Sequence, residues 1–330
     1  YDFTDDISVN ANANYVSNRT IGRYGTGYDG RNIMQSFGQW FQTNVDFGRL
    51  RDYRSDAGVH KTWNLRGPTD PTAEGSLSPQ YFNNPYWVRN EMWEDDGRDR
   101  IYGKVELNYQ LTDWLSLTGR VGMDHYNWYR NERVAEGSLE VSDFTRRTTT
   151  YTETNTDLLL RFDQDFGGLS VSGLLGGNML RRNTDQLNAS TVGGLIVPGL
   201  YTVSNSYSPV DATEQQVERG KNSLFGNISL GWNDYLYLEV TGRNDWSSTL
   251  PEDNNSYFYP SVSTSLVFSE LIEADLLSFG KLRLNYAEVG NDAPAYSLVS
   301  TFQQPANFRD LPLFSVNSQR QNPELKPENT

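Results

Sequence analysis

The side chains able to do chemistry in this 330-residue sequence are carboxylates and aromatics, with few others. Glu106 with Asp124, and Glu239 with Asp245, are the pairs to test first as the acid and base of a glycoside hydrolase. That reaction needs two carboxyl groups roughly 5 to 9.5 Å apart, and nothing in the spacing sets such a separation. The run Glu94-Asp95-Asp96-Gly97-Arg98-Asp99 offers oxygen ligands for Ca²⁺ but does not follow EF-hand spacing, and it reads as a solvated hairpin top. Residues 22–30 are glycine-rich but lack the Lys and the strand-to-helix context of a phosphate loop. With no Cys, and with His60 and His125 far apart, thiol chemistry, disulfides and Cys/His zinc sites are excluded. The expectation is a protein without catalytic residues, metal or cofactor.

Composition narrows the class further. Forty-two acidic against 28 basic residues give a formal charge of −14, the wrong sign for a non-specific nucleic-acid binder. With Gly counted and Tyr set aside, the apolar share is about 38%, below the roughly 45 to 50% of soluble domains. Yet the chain is 13% aromatic, too rich for a disordered polymer. No apolar run approaches the 18 or so residues of a membrane-spanning helix. A transmembrane β-barrel fits all three facts, because only every second residue of its strands meets lipid.

Stepping along the chain, the periodicity is two. Ile101, Gly103, Val105, Leu107, Tyr109 and Leu111 alternate with Tyr102, Lys104, Glu106, Asn108 and Gln110. Leu115, Leu117, Gly119, Val121 and Met123 repeat the pattern after only three residues, so the two runs predict a hairpin. The same alternation marks strands at 7–15, 158–163, 169–179, 224–232, 236–242, 258–268 and 282–286, nine in all. Connections after the second, fourth and sixth strands are two to four residues. Those after the first, third, fifth and seventh are longer, the first reaching from 18 to 97. Short turns on one side and long loops on the other predict periplasmic turns and extracellular loops, with Trp114, Phe166, Trp232 and Tyr235 as an interfacial girdle. A soluble β-sandwich alternates too, but its strands are shorter and its loops do not sort by side. Nine is an odd number, and bacterial barrels close with an even one. Together with a start at Tyr1 and a polar end at 322–330, this predicts an internal stretch of a longer polypeptide.

Several segments resemble one family. Asn84-Pro85-Tyr86-Trp87 followed by Arg98-Asp99-Arg100-Ile101-Tyr102-Gly103 is similar to the loop-to-strand signature of SusC/RagA-like TonB-dependent transporters of Bacteroidetes outer membranes. The runs from Tyr237 to Pro251, Tyr259 to Ser263, Lys281 to Asn291 and Asn322 to Glu328 resemble further signatures in the family's order. The resemblance covers essentially residues 1–330 and implies an all-β fold, about nine strands of a 22-stranded antiparallel barrel with long extracellular loops. The plug, TonB box and C-terminal strands of the family are absent from this stretch. It further implies a SusD-like lipoprotein lid, energy from TonB with ExbB/ExbD, contact with lipid bilayer and lipopolysaccharide, and import of oligosaccharides or peptides. An outer-membrane platform that scaffolds surface lipoproteins without transport is the alternative.

The alternation places Lys104, Glu106, Arg120, Asp124, Arg161, Asp163, Glu239, Arg243 and Asp245 on the lumen side, where charge costs least. Most are expected to pair with one another or with a plug, and Asp124, Arg243 and Asp245 are the candidates for substrate contact. In the long loop, Trp40, Trp63, Tyr81, Trp87 and Trp93 offer flat faces for sugar rings or peptide side chains. The competing reading packs those aromatics against the loop itself or a lid protein. Apolar spacing between Ile33 and Leu50 suggests a short helix on the barrel rim.

Overall fold

The computed structural model describes residues 3–23, 25–35, 43–67, 79–272, 277–305, 307–309 and 311–329. Nine strands form one antiparallel sheet in chain order. They are β1 (Ile7–Arg23), β2 (Glu94–Thr112), β3 (Leu115–Val134), β4 (Asp143–Phe166), β5 (Leu169–Leu195), β6 (Ser206–Trp232), β7 (Leu236–Ser247), β8 (Ser256–Leu266) and β9 (Leu282–Ala287). All nine expected strands are present. β1 and β9 are the two edges of the sheet. Among the described residues no helix is long and apolar enough to cross a membrane.

The short turns join neighbouring strands because their residues accept the required backbone. Gly167 has φ 68°, and Asn233 and Asp234 have φ 44° and 61°, the left-handed pair that a tight hairpin turn demands and that Asn and Asp tolerate. From these turns the register carries apolar residues into rows. One row runs Leu115, Phe162, Gly173, Ile228, Val240, Val262, Tyr286 across seven strands. In it the Phe162 ring lies over Gly173, where a Cβ would come within 2.6 Å of the ring. A second row runs Ile7, Tyr109, Leu117, Leu160, Leu175. This face is exposed: Val105, Leu158, Leu175, Leu224 and Leu284 are each more than half accessible. A soluble sheet would cover such a band, whereas a barrel wall turns it to lipid. Of the four expected girdle residues, Trp114, Phe166 and Trp232 are exposed at the turn end and Tyr235 is half-buried there.

The strands are much longer than the alternation indicates. β4 has 24 residues and β5 and β6 have 27 each, while roughly 9 to 11 cross a bilayer. Residues 124–134, 143–157, 180–195 and 206–223, expected as loop, are therefore strand. The connections after β3, β5 and β7 shrink to short loops, the one after β8 runs from 267 to 281, and the one after β1 is the longest between strands of the sheet, from 24 to 93. Beyond the apolar band the outer face carries polar residues, so the period disappears while the ladder continues.

The long connection contains α1 (Phe47–Leu50) and α2 (Pro85–Glu91). α1 is a single turn at the end of the 33–50 segment expected to be helical; residues 36–42 of that segment lie outside the described residues. Asn84 caps α2 by accepting from the Tyr86 N–H, and Pro85 occupies the first turn, where it needs no donor. Trp87, Val88 and Met92 then pack on Val134 and Ala135 at the tip of β3, with Ile33 and Tyr53 beside them. After β9, short strands β10 (Gly290–Asn291), β11 (Phe302–Gln303), β12 (Ser315–Val316) and β13 (Glu328–Asn329) pair as β10 with β13 and β11 with β12.

Candidate functional site

The face opposite the apolar band is polar and hydrogen-bonded along its rows. One row reads Asn10, Glu106, Arg120, Asp157, Asn178, Ser223, Asp245, Tyr257 from β1 to β8. Arg120 pairs with Asp157 at 2.7 Å, and Asn178 donates to Asp157 at 2.6 Å. Lys104 pairs with Glu106 at 3.1 Å, Arg100 with Asp124 at 2.5 Å and Arg182 with Glu153 at 2.7 Å. The partner of each carboxylate in the expected pairs is therefore not the other carboxylate. Glu106 and Asp124 face cations, Asp245 faces Arg243, and Glu239 accepts from Asn227 at 3.4 Å.

A second cluster sits at the upper ends of β6, β7 and β8. Asp245, only 2% exposed, accepts from Arg243 Nε at 2.8 Å and from the Tyr259 hydroxyl at 2.9 Å. Arg243 also donates to Ser223 at 2.8 Å. Beside them Lys221 and Arg219 meet Asp292, which lies beyond β9 and also accepts from Ser247 at 2.6 Å. Burial works to raise the Asp292 pKa, but hydrogen bonds from Ser247 and Arg219 outweigh it and hold the carboxyl below its usual range. Tyr257 is buried, and its hydroxyl is pushed up by burial and by the nearby Asp292 and Asp245 carboxylates.

The third cluster anchors the long connection. His60 stacks on Trp87 with ring centroids 4.3 Å apart. His60 Nε2 accepts from the Asn84 N–H at 3.0 Å, which requires Nδ1 to carry the proton and donate to Gly137 O at 3.2 Å. Burial, the main cause, lowers its pKa to about 4. Asn84 itself donates to Leu50 O and Lys61 O, both at 2.9 Å. Nearby, fully buried Glu94 lies between Arg130 at 2.9 Å and Arg31 at 3.6 Å, with Glu132 bound to both arginines. Burial raises the Glu94 pKa even though Arg130 pulls it down. The expected solvated hairpin top at 94–99 is thus the start of β2, with Glu94 and Asp96 buried. The inward positions of that strand meet the arginines of β3 and of the long connection, which removes them from water.

These positions separate the sequence candidates. Arg243 and Asp245 come together in the β6–β8 cluster, while Asp124 belongs to the β2–β5 ladder. Trp87 is a packed core residue whose indole N–H donates to Ser138 at 2.8 Å. Trp93 lies under the Arg133 guanidinium, 3.8 Å from ring centroid to Cζ. Tyr81 is 60% exposed and its hydroxyl accepts from Gln80 at 3.1 Å. Trp63 is half-buried in the same connection, and Trp40 lies outside the described residues. Sequence reasoning names His60 only as an isolated histidine and Asn84 only within a family signature, and it does not single out Arg219, Lys221, Tyr257 or Asp292. Extending the alternation of 224–232 and 258–268 upstream would have found Arg219 with Lys221 and Tyr257 with Tyr259 on one face; Asp292 has no such signal.

No family model and no curated protein matches the chain. Solved structures do. The RagAB peptide transporter is similar over 99% of this chain and 36% of that chain, with a TM-score of 0.73 at 17% identity. What is shared is the fold, an antiparallel β-sheet of the β-barrel kind. The RagAB peptide importer in its "closed-closed" state gives the same values, and in its "open-open" state a TM-score of 0.72 at 16% identity over 99% of this chain and 35% of that one. The chain spans about a third of the length of these structures.

Proposed function

We propose that this chain is part of the wall and outer rim of an outer-membrane TonB-dependent transporter of the SusC/RagA kind, which takes up peptides or oligosaccharides through the lumen its polar face borders. The observation that carries the reading is the division of nine consecutive strands into one exposed apolar band and one ion-paired polar face. In a lipid bilayer that arrangement satisfies the backbone through the ladder and keeps charge with water. Short turns lie on the periplasmic side and the connection of 24–93 on the outside, where a SusD-like lipoprotein lid would rest. TonB with ExbB/ExbD supplies the energy through the plug of the intact transporter, and lipopolysaccharide surrounds the upper apolar band.

The test is uptake of labelled oligopeptides and oligosaccharides by cells with and without the intact gene. Loss of uptake of either class on deletion, restored by the gene in trans, is the expected result. Unchanged uptake of both classes, with loss of a surface lipoprotein instead, would overturn transport and leave the platform reading.

A further inference from the structure

We propose that Arg219, Lys221 and Ser247 form a carboxylate-binding site on the inner rim of the sheet, occupied in this structure by the chain's own Asp292 and open to a substrate carboxylate when segment 288–296 lifts. The inference rests on the transport reading above and names the chemical class the lumen selects.

Asp292 is the only member of the cluster that does not come from the sheet wall. The segment bearing it leaves the sheet edge after β9 and crosses β8 and β7 to reach β6. Gly290 passes so close to the Tyr257 and Tyr259 rings that a Cβ would sit 2.5 Å from the first. Its attachments are few. Glu288 N–H donates to Pro260 O at 3.0 Å, its carboxylate accepts from the Tyr286 hydroxyl at 2.7 Å, two residues pair with β13, and the Tyr296 hydroxyl accepts from Glu218 N–H at 3.2 Å. Asp292 makes the remaining bonds, to Arg219, to Ser247 at 2.6 Å and to Lys221 at 3.4 Å.

Without Asp292, three cations would face one carboxylate. That carboxylate, Asp245, is already held by Arg243 and Tyr259, and stands 3.8 Å from Lys221. Arg219 would be left part-buried without a counter-ion and Lys221 with only a share of Asp245, a state that favours an incoming anion. A planar guanidinium, an ammonium and a hydroxyl around one point are the donors a carboxylate takes best. The site also has donors to spare, since Arg219 Nε and the Tyr257 hydroxyl are buried without a hydrogen-bond partner. It therefore suits an anion that reaches further than the short Asp292 side chain, such as a peptide C-terminus, an acidic peptide side chain or a uronate.

The experiment is a binding titration of the purified intact transporter with matched ligands: an oligopeptide with a free C-terminus against its amide, and a uronate-bearing oligosaccharide against its neutral counterpart. Wild type is expected to prefer the acid of at least one pair. Asp292→Asn should widen that acid-to-neutral ratio fivefold or more, and adding Lys221→Met should return it toward one. If Asp292→Asn fails to reach the membrane, Tyr296→Phe, which loosens the same segment by one hydrogen bond, is scored by the same ratio. The pair that responds identifies the source of the carboxylate. A wild-type ratio of one for both pairs, or a ratio unmoved in the variant that assembles, overturns the site. Failure of the transporter to bind any member of either pair instead overturns the transport reading.

Discussion

The turn-side half of the sheet and its upper half share one hydrogen-bonded ladder but meet different solvents. Near the turns, rows such as Leu115, Phe162, Gly173, Ile228 and Val240 turn an unbroken apolar surface outward. Further up, the same outer face carries His125, Asn127, Thr148, Thr150 and Thr152, and the strands are held by cross-strand polar contacts. His125 bonds Thr152 at 2.8 Å, and Thr150 donates to Asn127 at 2.9 Å. On the inner face Tyr126 and Tyr151 stack with centroids 4.9 Å apart. β-branched and aromatic residues keep the strand geometry in both halves. What differs is the alternation, which marks the exposed apolar band and is not a property of the strand itself.

A charge on the outer face breaks this comparison most directly. Val105 lies mid-band and is 56% exposed, while Thr148 projects from the same face on the upper half. Val105→Arg should cost about 2 to 4 kcal/mol, and Thr148→Arg about 0 to 1, because the penalty depends on depth in the bilayer. Urea unfolding of the intact protein refolded in phospholipid vesicles measures both. Equal costs would mean that the band does not face lipid.

The same contrast decides what was legible in the sequence. All nine strands could be read, because each has an exposed apolar stretch with period two. The upper extensions could not: a run such as Thr148-Thr149-Thr150-Tyr151-Thr152 is strongly strand-forming but has no apolar face to betray where it stops. At the candidate site, Arg243 and Asp245 were readable because they fall within a banded strand. Arg219 and Lys221 lie on the invisible extension of β6, and Asp292 arrives from another segment, so their meeting is a tertiary fact. Trp87 was visible as an aromatic but not as a core residue, since only packing against His60, Val134 and Ala135 distinguishes the two.

Proton binding separates the anchored connection from the strands. His60 is neutral in the fold with a pKa of about 4, against about 6.5 when released. The unfolded connection therefore binds more protons between those values. Its stability is full above pH 6.5 and falls as pH drops from 6.5 to 4, by on the order of 3 kcal/mol. Amide exchange of residues 84–92 should accelerate on going from pH 7 to 4.5, after correction for intrinsic rates, while amides of the banded strands keep their protection. A His60→Gln variant should lose the pH dependence. Parallel acceleration in both regions would show that the connection and the sheet open as one unit.

The smallest effect sharpens the comparison on the inner face. Arg120 bridges Asp157 at 2.7 Å and Glu106 at 3.8 Å while remaining 37% exposed. Water and salt screen the pair from the guanidinium side, although the Asp157 carboxylate is only 10% exposed, and two side chains must be held in place. A double-mutant cycle of Arg120→Gln and Asp157→Asn should therefore give a coupling of about 0.2 to 1 kcal/mol that shrinks as salt rises. A coupling above about 2 kcal/mol, insensitive to salt, would mean that this face is dry. The polar rows would then be a second buried core, and the division between a lipid side and a water side would fail.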